Sequence, residues 1–158
     1  MSTKHTIDLS KEPRLPFDNA VVEKHDGKGI VEIELRSDDN LYLGGKKVEL
    51  FLSERQKGIS RIVGHKLRKE LKDAGKVLLN SNVLDYIFDH QELFPEHWKK
   101  VENGKTRCTF FQNSTFRRPS NDKLYACYLC WCGVSLDRSY YCLDSAWDSQ
   151  DPSALLAS

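Results

Sequence analysis

No apolar stretch in this chain approaches the roughly 18–20 residues that cross a bilayer. That absence argues against a helical membrane protein. An excess of either charge is missing too: 24 Lys and Arg face 23 Asp and Glu, for a net charge of +1. Bulk charge therefore excludes a basic coat for nucleic acid and a polybasic membrane binder. The first residues, Met-Ser-Thr-Lys-His-Thr-Ile-Asp, hold no apolar core or small-residue cleavage site of a secretory signal, so a cytoplasmic protein is expected. Internal repeats and low-complexity tracts are absent, which excludes solenoids and collagen-like chains. So are the phosphate-cradling glycine loop, the nucleophile elbow and the HExxH helix. Asp144, Asp148 and Asp151 lie near one another, but their spacing fits no EF-hand.

What is present describes a folded domain. The chain has 158 residues, 39% of them hydrophobic and 30% charged. A chain of this size buries about two thirds of its extended surface, enough for a core without staples. Residues 1–29 are rich in turn formers and read as an extended arm, with one short strand near 20–23. Residues 30–158 read as a single domain. Residues 30–35 alternate β-branched and charged side chains as a strand does, Gly44-Gly45 turns the chain, and residues 47–52 return as a hairpin partner. Then the period lengthens. Val63, Leu67, Leu71 and Ala74 form a helical stripe, and Gly75 ends it. Asn80 caps a second helix carrying Val83, Leu84, Ile87 and Phe88. Three strands follow at 106–117, 124–132 and 138–143. The expected fold is α+β: an N-terminal hairpin, two helices packed on each other through Leu67, Leu71, Leu84, Ile87 and Phe88, and a three-stranded antiparallel C-terminal sheet. Residues 144–158 read as an acidic tail anchored by Trp147.

Charge alternates in blocks. Residues 61–80 carry +4, 81–98 carry −4, 99–123 carry +5 and 124–158 carry −3. If the two basic blocks converge, Arg68, Lys69 and Lys72 meet Arg117 and Arg118 in a patch for an acidic partner. Tyr125 and Trp131 would add stacking surface for single-stranded nucleic acid, although aromatics in strands more often face a core. Cys127-Tyr128-Leu129-Cys130-Trp131-Cys132 contains one CxxC knuckle, with Cys142 or Cys108 as further thiols for a tetrahedral zinc. One knuckle is half of such a site, and in a strand Cys127 and Cys130 point to opposite faces. Reduced, metal-free thiols are the expectation. His65, His90 and His97 are the candidates for base or ligand, and His65, among Lys66, Arg68 and Lys69, offers a cationic face that suits phosphodiester cleavage.

Several stretches carry a resemblance: Lys47-Val48-Glu49-Leu50, Lys66-Leu67-Arg68-Lys69-Glu70-Leu71, Leu79-Asn80-Ser81-Asn82-Val83-Leu84-Asp85-Tyr86, and Trp147-Asp148-Ser149 with Asp151-Pro152. Together these resemble a family of small bacterial proteins of uncultured, small-genome lineages, with no activity assigned to it. The run Leu79 to Tyr86 is the most specific part. The resemblance implies a shape of sequence and no function. The chain departs from it at Gln112-Asn113 and at the cysteines 127, 130 and 132. The functional expectation is therefore a non-enzymatic binding module without cofactor, for RNA or an acidic protein surface. The alternative is a small nuclease or phosphate-directed hydrolase built on His65.

Overall fold

The computed structural model describes residues 3–102 and 104–157. Its elements in chain order begin with five strands: β1 (Thr3–Asp8), β2 (Val21–His25), β3 (Ile30–Leu35), β4 (Leu41–Leu43) and β5 (Lys46–Phe51). Next come β6 (Ile62–Val63), α1 (Gly64–Asp73), β7 (Val77–Leu78) and α2 (Ser81–Asp89). The remaining strands are β8 (Val101–Glu102), β9 (Lys105–Thr106), β10 (Cys108–Arg118), β11 (Lys123–Trp131), β12 (Leu136–Cys142), β13 (Ala146–Trp147) and β14 (Ser153–Leu156). No helix among the described residues is long and apolar enough to cross a membrane.

Ten strands form one mostly antiparallel sheet in the order β1-β3-β4-β5-β14-β10-β11-β12, with β2 added on β10 and β7 on β14. The α+β class holds, but the three C-terminal strands are one flank of a much larger sheet. Residues 3–29 contribute two of its strands. The link between the flanks is β14, which pairs antiparallel with β5 and parallel with β10 through Phe110 and Ser153. The apolar end of the acidic tail is thus a central strand.

Neighbouring residues on these strands enter different cores. Phe111, Cys127 and Ala154 pack with Val83, Leu84 and Ile87 of α2. Phe110, Ala126 and Leu155 pack with Leu67 and Leu71 of α1 and with Trp147. Side chains alternate across a sheet, so the two clusters lie on its two faces. Each face takes one helix. This corrects the expected helix-on-helix packing: all four leucines and isoleucines of that prediction are buried, but in separate clusters.

Local chemistry sets the helix ends. After α1, Gly75 adopts φ 69°, its N–H bonds the Lys72 carbonyl, and the Lys76 N–H bonds that of Leu71. That is a Schellman stop, for which glycine suits the left-handed position. At α2 the Asn80 side chain accepts from the Asn82 N–H at 3.0 Å. The Asn82 amide in turn donates to the Lys11 carbonyl at 2.6 Å, and the Ser81 N–H to Ser114 Oγ at 2.8 Å. The Asn-Ser-Asn run therefore ties the helix start to the N-terminal segment and to β10.

A candidate ligand cavity beside the Asp148–Asp151 loop

The edge of β10 that faces β14 carries a strap, residues 148–152. Cys108 N–H donates to the Gln150 carbonyl at 2.7 Å, and Phe110 N–H to that of Pro152 at 2.9 Å. The strap is closed on itself: Asp148 N–H bonds Asp151 Oδ2 at 3.0 Å, and Gln150 N–H bonds Asp148 Oδ1 at 2.8 Å. The fully buried Gln56 clamps it from below, its amide donating to the carbonyls of Asp148 at 3.1 Å and Asp151 at 2.9 Å. Gln56 is itself fixed by a reciprocal cap, its side-chain oxygen accepting from Ser53 N–H at 3.0 Å. Nothing in the sequence pattern singled out Gln56, because its partners lie more than ninety positions away.

Between strap and sheet is a cavity of about 340 Å³. Phe110, Tyr128 and Tyr141 form its floor, Lys105 and Cys108 one side, and Asp148 and Asp151 another. Trp147 backs the floor, its ring 4.0 Å from that of Phe110. Burial pushes the Asp151 carboxyl up to about 6, and the nearby Asp148 charge acts in the same direction. The Asp148 N–H and Lys105 oppose the shift without cancelling it. Lys105 Nζ stands 3.5 Å from Asp148 Oδ2. Burial also raises the Tyr128 phenol. The three charged side chains of the lining sum to −1, with the deficit of positive charge at Asp151. A carboxyl titrating near neutrality beside aromatic faces in a concave site is what ligand-binding and proton-transfer centres are made of.

The other candidate residues lie elsewhere. Arg68 is largely buried and donates to the Gln112 carbonyl of β10. Lys69 pairs with Asp73 at 2.8 Å, one turn along the helix. Lys72 is exposed. Arg117 sits between Glu23 at 3.5 Å and Asp122 at 3.6 Å. Arg118 faces the other side of the sheet. Its guanidinium lies over Phe17 at 4.4 Å and Tyr125 at 4.7 Å, and bonds the phenols of Tyr125 and Tyr140. Tyr125 is buried there, and Trp131 packs against the α2-side core under the Lys99 ammonium at 3.9 Å. His65 is exposed and pairs with Asp144 at 3.0 Å, while Lys123 of β11 reaches the same carboxylate at 3.7 Å.

The cysteines divide by face. Cys127 is buried in the α2-side core, where desolvation pushes its thiol up to about 12. Cys142 stands opposite Tyr125 on β12. Cys132 is exposed beyond the end of β11, against the Ser135 carbonyl. Cys130 stands opposite Cys108. Among the described residues, no group of three or more His, Cys, Asp or Glu side chains is arranged to hold a metal ion. Comparison with protein-family models, curated proteins and solved structures finds no match for this chain.

Proposed function

We propose that the protein is a binding module whose ligand is a small organic cation, held in the cavity between the β10–β12 face and the Asp148–Asp151 strap. The observation that carries the reading is the placement of Asp151 beside the Asp148–Lys105 ion pair in a cavity whose lining lacks one positive charge, where burial raises the Asp151 carboxyl to about 6. An ammonium group supplies that charge, and the rings of Tyr128 and Tyr141 offer it cation–π faces. Binding then requires ionised Asp151. Affinity for benzylammonium should rise as the pH goes from about 5 to about 8, whereas benzyl alcohol should bind weakly and without pH dependence. Asp151→Asn should cost about tenfold in affinity at the upper pH, ~1.4 kcal/mol, and flatten the profile. Calorimetric titration of the full chain reads both. Equal affinity for the alcohol and the ammonium would sink the reading.

A second reading is favoured by Asp144. Its carboxylate meets both His65 of α1 and Lys123 of β11, and α1 also exposes Lys66, Lys69 and Lys72. This surface suits an acidic partner, for which RNA is the direct probe. A fluorescent oligouridine should bind at low salt, with affinity falling steeply as salt is added. Lys69→Glu with Lys72→Glu should abolish binding. Unchanged anisotropy in that variant removes RNA from consideration.

A further inference from the structure

The Cys108 and Cys130 thiols face each other across the β10–β11 ladder, and the backbone around them fixes the kind of pair they form. Cys108 and Cys130 are in direct register. Cys108 N–H is spent on the Gln150 carbonyl, on the side of β10 away from β11. The N–H and C=O of one strand residue point the same way, so Cys108 makes no ladder bond to Cys130. On β11, Cys132 N–H bonds the Ser135 carbonyl on the β12 side, and Cys130, two residues earlier, points its backbone the same way. The two cysteines are thus a non-hydrogen-bonded antiparallel pair. Such pairs stand ~4.5 Å apart at Cα with side chains converging, inside the ~4.4–6.8 Å that disulfides span. The Cys108 Sγ lies 3.7 Å from the Thr106 carbonyl, its hydrogen-bond acceptor, and the two cysteines influence each other's ionisation.

We propose that Cys108 and Cys130 form a reactive dithiol site whose substrate class is the low-molecular-weight disulfide, glutathione disulfide being its simplest probe. The Cys130 thiolate attacks one sulfur of the probe. The probe's S–S bond breaks, one glutathione leaves as thiolate, and a mixed disulfide forms on Cys130. Cys108 then gives up its proton to solvent and attacks the Cys130 sulfur. The second glutathione leaves, and the Cys108–Cys130 bond is closed. Two protein thiols are oxidised, one disulfide is reduced to two glutathione thiols, and no other reactant is needed. The roles follow from asymmetry: interaction with Cys108 favours the Cys130 thiolate, and the same interaction together with burial holds the Cys108 thiol protonated until the second step. Both residues are half-buried, which leaves the Cys130 thiol partly open to a small reagent, and Cys108 lines the cavity beside it. Cys127, on the opposite face of the sheet and buried, has none. The inference is independent of the ligand assigned to the cavity.

The test is peptide mapping of the full chain. Reduced protein is equilibrated with glutathione disulfide and glutathione at several ratios, quenched in acid, alkylated and digested. A Cys108–Cys130 linked peptide should accumulate, with the protein mass falling by two hydrogens. Cys108→Ser should arrest at a glutathione adduct on Cys130, and Cys130→Ser should consume the probe at least about tenfold more slowly. The proposal is overturned if the wild-type chain keeps a glutathione adduct on Cys130. It is also overturned if the main crosslink uses Cys132 or Cys142, or if no thiol is lost.

Discussion

At the scale of single residues, one hydrogen atom holds α1 against the sheet. A Cβ on Gly64 would stand 2.9 Å from both Cα and the carbonyl oxygen of Leu143, and 3.0 Å from Trp147 Nε1. Two of these three contacts are backbone, which cannot swing aside as a side-chain tip can. The same backbone is bonded into the site, with His65 N–H donating to the Leu143 carbonyl and Gly64 N–H to that of Ser145. Overpacking of this kind costs about 1–3 kcal/mol, against at most ~1 kcal/mol that alanine's helix preference returns. Gly64→Ala should therefore lower the urea midpoint with an unchanged m-value. A midpoint equal to wild type would mean that the 143–147 segment gives way freely. The candidate sites were only partly legible at this scale. The Asp-x-x-Asp-Pro run is visible in the sequence, but its chemistry depends on Gln56 and on burial beneath the strap, neither of which is local. The Cys108–Cys130 pair depends on register. A slip of one residue would send a thiol to the opposite face, and the β10–β11 ladder itself shifts register between Phe111 and Phe116.

At the scale of elements, periodicity reported which segments bury a face but not what they bury it against. The Leu67 and Leu71 stripe and the Val83, Leu84 and Ile87 stripe are both real, and both helices form where the pattern places them. Two amphipathic helices adjacent in sequence suggested a pair, yet a wide sheet with two apolar faces offers each its own partner. The three C-terminal strands were readable because they are long, rich in aromatic residues and separated by turn residues. β1 was hidden by its composition: it pairs with β3 at the sheet edge, and Ile7 is its one buried apolar residue among those described. β14 was hidden for the opposite reason. A four-residue strand buried on both faces shows no alternation, so it reads as a short apolar run at the end of a polar tail.

At the scale of the whole molecule, that short strand joins what would otherwise be two sheets. β1, β3, β4 and β5 lie on one side of it and β10, β11 and β12 on the other. Ser153, Ala154 and Leu155 are buried, and Ala157 N–H adds a last bond to the Lys47 carbonyl. Its two faces feed both cores, Ala154 entering the α2 side and Leu155 the α1 side. Loss of one buried leucine costs roughly 2–5 kcal/mol. Removing the strand adds the unpaired edges of β5 and β10, in a domain whose total stability is of order 5–15 kcal/mol. A chain ending at Pro152 should therefore lose its cooperative urea transition and its near-ultraviolet dichroism together, with the signal of Trp147 and the β10–β12 aromatics failing at the same point as that of the N-terminal strands. Leu155→Ala, which keeps the backbone pairing, should retain one cooperative transition at a lower midpoint. A truncated chain that still unfolds in a single sharp step would show that the two flanks hold together through α1, α2 and the strap alone, and that β14 fills a gap between them without joining them.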